Sequence, residues 1–301
     1  MNHGLQKTKT LAGIGVGSGR KESFYFCAFQ YFEDEQRWFL KNCQQLKDVQ
    51  YPDTEDSLLA LIKDYGIELL MVDFPLTHPV CESCELVCPG SINCPDERVV
   101  KSRQKIGNIL KSDELLYTDS PKEYERQRKS GGVISKSLKR KLKKGFVPYW
   151  NREDDLGLWL DYHDDLLKYF KVSYDSFGNE NRGQIQRFQY LRRHFPSNLK
   201  LLETHYHILL LEMFKSDLVA KKSLKELVHI ESAALSRLNI IESLEEKFNL
   251  FIYEKDKEVL VKKSRAFKSF IIGLSGTVLY EQRNDFLSNK FVIPEDFSHK
   301  Q

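Results

Sequence analysis

The stretch from Leu69 to Cys94 constrains the fold more than any other part of this chain. It begins with an apolar run that ends at Asp73 and continues into a turn-rich segment that contains four cysteines. An apolar run that stops at a single acid predicts a buried β-strand with a carboxylate at the edge of a sheet. Four clustered thiols predict a small metal knuckle directly after that strand.

The cysteines follow the spacing C-x2-C-x3-C-x5-C, at Cys81, Cys84, Cys88 and Cys94. Four thiolates satisfy the tetrahedral shell of Zn2+ and leave no open position, so the spacing predicts a structural zinc site. An iron–sulfur cluster and four reduced thiols without metal are the alternatives, although the C-x2-C-x2-C spacing of ferredoxins is absent.

The composition predicts a cytoplasmic protein without a membrane segment. Of the 301 residues, 41% are hydrophobic and 30% are charged. No apolar run approaches the roughly 20 residues that cross a bilayer, and the first residues do not resemble a signal peptide. In that compartment thiols stay reduced, which favours metal binding over disulfides.

Positive charge is concentrated in the middle of the chain. Residues 101–150 contain fourteen Lys or Arg against five Asp or Glu, whereas the whole chain has a net charge of +3. The densest part is the run from Lys136 to Lys144, where Lys139, Arg140 and Lys143 are candidate contacts for phosphates of a nucleic acid. The alternative is an ordinary solvated helix face.

The pattern of apolar residues predicts an α/β fold with a mixed sheet. Three runs before residue 44 predict an antiparallel meander, and a helix over 56–65 leads to a fourth strand parallel to the first. The pattern over residues 98–147 indicates a basic helical insertion, and the pattern over residues 250–261 indicates a hairpin. The last helix, 266–282, contains Gly273, Ser275 and Gly276, which permit close packing on the sheet. The glycines at 13, 15, 17 and 19 do not match G-x-G-x-x-G, so dinucleotide binding is rejected.

Several short motifs occur in an order that resembles a family of predicted nucleases with an RNase H-like fold. They are Gly13-Ile14-Gly15-Val16-Gly17, Val72-Asp73-Phe74-Pro75-Leu76, the four cysteines with Pro89-Gly90, Pro148-Tyr149-Trp150-Asn151-Arg152, Arg187 with Leu191, Glu203-Thr204-His205, and the last helix. The resemblance covers about residues 11–283. It implies one RNase H-like domain over 1–301, a five-stranded sheet flanked by helices, and a knuckle inserted at 78–97.

The resemblance also implies a site in which acids bind two Mg2+ or Mn2+ ions that act on a phosphodiester. Two of its acids correspond to Asp73 and Glu203. The position of the first-strand acid corresponds to Gly15, and that of the closing-helix acid corresponds to Lys268. Because an ammonium repels Mg2+ and glycine has no ligand atom in a side chain, we expect a weak or inactive metal site.

Three alternatives remain open at this point. Another acid, Glu22 or Asp285, would complete an active metal-dependent phosphodiesterase. A non-catalytic protein-interaction scaffold would need no nucleic acid. Arg152 and Arg187 are candidate phosphate-binding residues, and ordinary surface salt bridges are the alternative for both.

Overall fold

The computed structural model describes residues 9–15, 24–48, 54–82, 84–145, 147–149, 151–172, 188–280 and 292–293. The chain divides into two compact units, one of residues 1–76 and 186–301 and one of residues 77–185. Both predicted insertions, 78–97 and 98–147, belong to the second unit. No helix in the described part of the chain has the length and apolar character of a bilayer-spanning segment.

The strands and helices have the following bounds. The strands are β1 Lys9–Gly15, β2 Tyr25–Phe32, β3 Arg37–Gln45, β4 Leu69–Val72, β5 Lys200–Thr204, β6 Leu250–Phe251 and β7 Val292–Ile293. The helices are α1 Thr54–Asp64, α2 Glu97–Asp119, α3 Pro121–Ser130, α4 Lys136–Lys143, α5 Glu153–Asp165, α6 Tyr206–Lys215, α7 Lys221–Glu226, α8 Ala233–Lys247, α9 Glu254–Lys262 and α10 Ser264–Tyr280.

The strands form one mixed sheet in the first unit, in the order β6-β3-β2-β1-β4-β5-β7. Strands β1, β2 and β3 form the predicted antiparallel meander, and β4 pairs parallel to β1 as predicted. Strand β5 continues the sheet parallel to β4. The predicted count of five strands is wrong, because the two-residue strands β6 and β7 extend the sheet at its edges.

Helix α1 connects the meander to β4 and covers one face of the sheet. Its residues Leu58, Leu61 and Ile62 are buried and pack in one cluster with Ile14 and Phe26. The i, i+3, i+4 spacing of these residues places them on one side of the helix. This face of the core therefore follows from the pattern that predicted the crossover.

Helix α10 covers the opposite face and approaches the sheet very closely. A Cβ atom at Gly13 would lie 2.1 Å from the backbone nitrogen of Gly273, and one at Gly273 would lie 2.5 Å from the ring of Phe29. Two glycines thus let the helix backbone contact β1 directly. The predicted close packing of the last helix is confirmed.

The predicted hairpin over residues 250–261 is wrong. Leu250–Phe251 pairs parallel to β3 as strand β6, and Glu254–Lys262 is helix α9. The helix begins with acids and ends with a lysine, which suits the helix dipole. Asp256 and Leu260 are buried at i, i+4 spacing on its inner side. The charged residues therefore belong to a helix and not to a turn.

The second unit contains helices α2 to α5, which confirms the predicted helical character of the section before residue 145. Asp96 caps α2 by accepting a hydrogen bond from the amide of Arg98 at 2.9 Å, and Ser135 caps α4 in the same way. Gly131, with a φ of 79°, ends α3 in the left-handed conformation that favours glycine. Helix α5 continues into a π-helical turn, Leu166–Phe170.

Candidate functional site

The register of the sheet brings the predicted acid positions together at one edge of the first unit. Ile14 pairs with Val72, and Val72 pairs with Glu203. Asp73 follows Val72 directly, and Gly15 follows Ile14. Both positions therefore lie at the carboxyl ends of two neighbouring parallel strands, at the same end of the sheet. Parallel strands present their carboxyl ends together, which explains why residues so distant in sequence become neighbours.

Asp73 connects two helices through its two carboxylate oxygens. Oδ1 accepts a hydrogen bond from the backbone amide of Tyr206 at 3.1 Å, at the first residue of α6. Oδ2 forms an ion pair with the ammonium of Lys268, on α10. Asp73 therefore ties the N-terminus of α6 and the N-terminal part of α10 to the end of β4.

The charges around Asp73 keep it ionised. Burial raises the pKa of Asp73, but the positive charges of Lys268 and His205 and the hydrogen bonds from Lys268 and Tyr206 outweigh it, so that the pKa is lowered. Among these charges the ammonium of Lys268 has the largest lowering effect. An internal cation thus neutralises the carboxylate at the place where the family resemblance implies a metal ion.

The surroundings of Gly15 leave no space for a side chain. The amide of Gly15 donates to Oγ of Ser269 at 2.8 Å, and this hydroxyl donates to the carbonyl of Tyr25 at 2.8 Å. A Cβ atom at position 15 would lie 2.8 Å from Oγ of Ser269 and 3.1 Å from Cγ of Lys268. Lys268 and Ser269 therefore fill the volume into which an acid at position 15 would project.

Glu203 has a structural hydrogen bond. The residue is only 7% exposed, and its Oε2 accepts a hydrogen bond from the amide of Leu76 at 2.9 Å. The carboxylate thus fixes the segment that follows β4. Asp73 and Glu203 both accept hydrogen bonds from backbone amides at this end of the sheet. Such a structural role does not require that the acids bind a metal ion.

Residues 205–207 complete the surroundings of Asp73. The ammonium of Lys268 lies 5.9 Å from the centroid of the Tyr206 ring, and burial raises the pKa of Tyr206. Burial lowers the pKa of His207 to about 3, and the positive charges of His205 and Lys268 act in the same direction. His207 is therefore a neutral imidazole at physiological pH.

Arg152, one of the two predicted phosphate-binding arginines, is held by a neighbouring acid. The guanidinium of Arg152 donates to Asp155 at 2.7 Å and 3.2 Å and to Oγ1 of Thr77 at 3.2 Å, and the residue is 7% exposed. This salt bridge is buried, whereas the alternative that the sequence left open was a surface salt bridge. Arg187 and the two alternative acids, Glu22 and Asp285, lie outside the described residues.

The basic helix α4 has one anchored lysine and several exposed cations. Lys139 forms an ion pair with the buried Asp113 of α2 at 2.6 Å, which holds α4 in place. The remaining basic residues of α4 and its C-terminal end are exposed, and they are Lys136, Arg140, Lys141, Lys143 and Lys144. Within the described ranges these five have no carboxylate partner. The helix therefore presents a strong local positive charge.

The four cysteines lie in the second unit with unequal burial. Cys94 is buried, Cys81 is half-buried, and Cys84 and Cys88 are exposed. Burial raises the pKa of Cys81 to about 11, and the nearby thiols of Cys94, Cys84 and Cys88 add to this effect. The thiol of Cys88 also lies 2.8 Å from the hydroxyl of Tyr149.

These thiols have the donor chemistry of a zinc site but are not arranged as one. In the part of the chain that the structure describes, no three His, Cys, Asp or Glu side chains are positioned to hold a metal ion. Closing a tetrahedral shell would require the exposed segment with Cys84 and Cys88 to fold onto Cys81 and Cys94.

Sequence reasoning missed Tyr206, whose amide donates to Asp73, and the buried Arg237. Tyr206 lies between His205 and His207 in the sequence. Arg237 lies on α8, is 9% exposed, and donates from Nε to the carbonyl of Val261 at 2.7 Å. A signal for Arg237 was present, since its position belongs to the buried stripe of Ala233, Ile240, Ile241 and Leu244. A cation in such a stripe is rare without a specific role.

Comparisons with protein-family models, with curated proteins and with solved structures find no match to this chain. The geometry alone therefore describes the chemistry of the site. It offers one carboxylate neutralised by a lysine, one carboxylate bound to a backbone amide, and no space for a third acid at Gly15.

Proposed function

We propose that this protein is a divergent member of the family of predicted nucleases with an RNase H-like fold, and that its two-metal site is impaired. The observation that carries this proposal is the ion pair between Lys268 and Asp73. An ammonium there takes the place of a cation and repels Mg2+, so the catalytic ion cannot bind beside Asp73 at ordinary concentrations.

The topology and the positions of the acids support the ancestry. A meander, a helical crossover and two further parallel strands are what the sequence resemblance implies. The positions of the four implied acids, at 15, 73, 203 and 268, all belong to one edge of the sheet or to the helix that closes it.

The protein would act by binding nucleic acid or another phosphate ligand. Support comes from the exposed cations of α4, which would release counterions from a phosphate backbone. If these cations bind a nucleic acid, its affinity for the protein should fall steeply as the salt concentration rises. This salt dependence should be weaker in a variant with glutamine at all five positions, Lys136, Arg140, Lys141, Lys143 and Lys144. Equal affinity of the wild-type protein and this variant, or no binding to DNA and RNA at low salt, would favour the interaction scaffold.

A nuclease assay with Mg2+ or Mn2+ on DNA and RNA tests the impairment. We expect the wild-type protein to show no cleavage above that of Asp73→Asn. Strong cleavage that Asp73→Asn abolishes would refute the impairment and favour a rearranged carboxylate site.

A substitution that restores a metal site tests the role of Lys268. Lys268→Asp places acids close to one another, so the variant should be less stable than the wild-type protein without metal and should be stabilised by Mg2+. Lys263→Asp changes the net charge equally at an exposed position and should not respond to Mg2+. Equal Mg2+ effects on the melting temperatures of both variants would contradict the proposal.

We also propose that Cys81, Cys84, Cys88 and Cys94 bind one structural Zn2+. The chemistry of four thiols within fourteen residues supports this, as does the mutual proximity that the pKa of Cys81 reflects. The ion would fold the exposed part of the knuckle, since such a short segment has no core of its own.

A further inference from the structure

Two buried cysteines face each other across β2 and β3. Cys27 and Cys43 are register partners in this antiparallel pair of strands. Both are free thiols, and Sγ of Cys27 donates a hydrogen bond to Sγ of Cys43 at a sulfur–sulfur distance of 3.5 Å. They lie in the first unit and are separate from the four cysteines of the predicted zinc site.

The backbone positions of the two cysteines suit a disulfide. Residues directly opposite each other in antiparallel strands have Cα atoms about 4.5–5.5 Å apart, and their side chains leave the sheet on the same face. Disulfides join cysteines whose Cα atoms are about 4.4–6.8 Å apart. The two sulfurs need to approach by roughly 1.5 Å to reach bonding distance, which is a change that side-chain rotation supplies.

The surroundings assign different roles to the two thiols. Burial raises the pKa of Cys27 well above its usual value, and the hydrogen bond to Cys43 and the charge of Asp256 add to this effect. Cys27 therefore keeps its hydrogen, which points at the sulfur of Cys43. Because Cys27 is 0% exposed and Cys43 is 7% exposed, Cys43 is the one that a small oxidant in solution reaches first.

We propose that Cys27 and Cys43 form a redox site, which hydrogen peroxide oxidises to a disulfide and a thiol reductant reopens. The sulfur of Cys43 attacks one peroxide oxygen, so that an S–O bond forms, the O–O bond breaks and the other oxygen leaves as water with the proton of Cys43. The sulfur of Cys27 then attacks the sulfenic acid of Cys43. The S–S bond forms, the S–O bond breaks, and the hydroxyl group leaves as water with the hydrogen of Cys27.

Two electrons pass from the two thiols to the peroxide, which becomes two molecules of water. The bond would fasten β3 to β2 inside the central sheet. The site does not depend on the nuclease ancestry, because it uses none of the implied acids.

Peptide mapping of the wild-type protein detects this bond separately from any oxidation of the knuckle. Trypsin places Cys27 and Cys43 in different peptides, residues 22–37 and 42–47, and neither peptide contains a knuckle cysteine. The folded protein is treated with hydrogen peroxide, and free thiols are blocked by alkylation before digestion. The two peptides should then be linked, with the loss of two hydrogen atoms, and dithiothreitol should separate them. A link that is absent from the folded protein, or sulfinic acid at Cys43 without a link, would overturn the proposal.

The melting temperature tests whether the bond fastens the two strands. A disulfide across the sequence separation of 16 residues should raise the melting temperature of the wild-type protein by about 5–10 °C, since it constrains the unfolded chain. Cys43→Ala is the matched control, because it keeps the four knuckle thiols and cannot form the bond, and Cys27→Ala is a second variant of the same kind. Neither variant should gain this stability from peroxide. An equal change of melting temperature in the wild-type protein and in these variants would contradict the proposal.

Discussion

Replacing Lys268 with methionine should lower the free energy of unfolding at pH 7 by about 2–3 kcal/mol. The side chain of Asp73 is 8% exposed and that of Lys268 is 27% exposed. Removing one partner of a fully buried pair costs about 3–5 kcal/mol, and exposed pairs contribute about 0–1 kcal/mol. This pair lies between the two cases, because the acid is buried and the lysine is only partly covered.

The cost should depend on pH in a specific direction. In the wild-type protein the pKa of Asp73 is lowered, so its contribution is present above the unfolded pKa of about 3.9 and is lost only as the pH falls through the lower folded pKa. In Lys268→Met the ammonium no longer opposes burial, so the folded pKa of Asp73 should rise. The folded variant then takes up a proton more readily than the unfolded chain. Its deficit should therefore shrink between pH 7 and about pH 4.5.

Urea denaturation of a double-mutant cycle measures this effect. The cycle contains the wild-type protein, Lys268→Met, Asp73→Asn and the double variant, each at both pH values. Asparagine can still accept the hydrogen bond from the amide of Tyr206, so the cycle isolates the ion pair. A coupling energy below about 0.5 kcal/mol, or a deficit of Lys268→Met that is the same at both pH values, would refute this reasoning.

Two further predictions concern Gly15 and the knuckle. Gly15→Ala should lower the free energy of unfolding by about 1–3 kcal/mol, because its Cβ would lie 2.8 Å from Oγ of Ser269. The loss should be smaller in a Ser269→Ala background, and additive losses of the two substitutions in urea denaturation would contradict this explanation. Purified protein should contain about one Zn2+ per chain by metal analysis, and Cys84→Ser should lower both zinc content and stability, whereas Cys43→Ala, in the core, should leave zinc content unchanged. Protein without zinc, or with the visible absorbance of an iron–sulfur cluster, would contradict the zinc prediction.

The sequence predicted the central sheet because its pattern is local. The meander and the crossover to β4 follow from the alternation of apolar runs, turns and one helical segment. The sequence-based prediction failed at α9, where alternating charges looked like a turn. Acids at the start of this segment and i, i+4 ion pairs such as Lys262 with Glu258 favour a helix instead. The predicted hairpin placed a strand where β6 lies but not its parallel pairing with β3, and β7 was missed, since a strand of two residues has no period to detect.

The site was only partly predictable for a different reason. The positions of Asp73 and Glu203 at strand ends were readable, because a strand end is visible in the sequence. The surroundings of these positions were not readable, since Lys268 reaches Asp73 and Ser269 reaches Gly15 only through the packing of α10 on the sheet. Contacts between residues so far apart depend on the tertiary structure and not on any local pattern.

Positions 15 and 268 are coupled through the packing of α10 on β1. Cγ of Lys268 would lie 3.1 Å from a Cβ atom at position 15, so the stem of the lysine occupies the start of any side chain there. A side chain at position 15 would therefore require the stem of Lys268 to shift by a few tenths of an ångström, although a carboxylate there would attract the ammonium. Restoring an acid at position 15 first would overpack this edge, and Oγ of Ser269 adds to the clash. Under the proposed ancestry, a return towards a metal site would need changes at both 268 and 269, because shortening the side chain at 268 removes the internal cation but leaves Oγ of Ser269 2.8 Å from a Cβ atom at position 15.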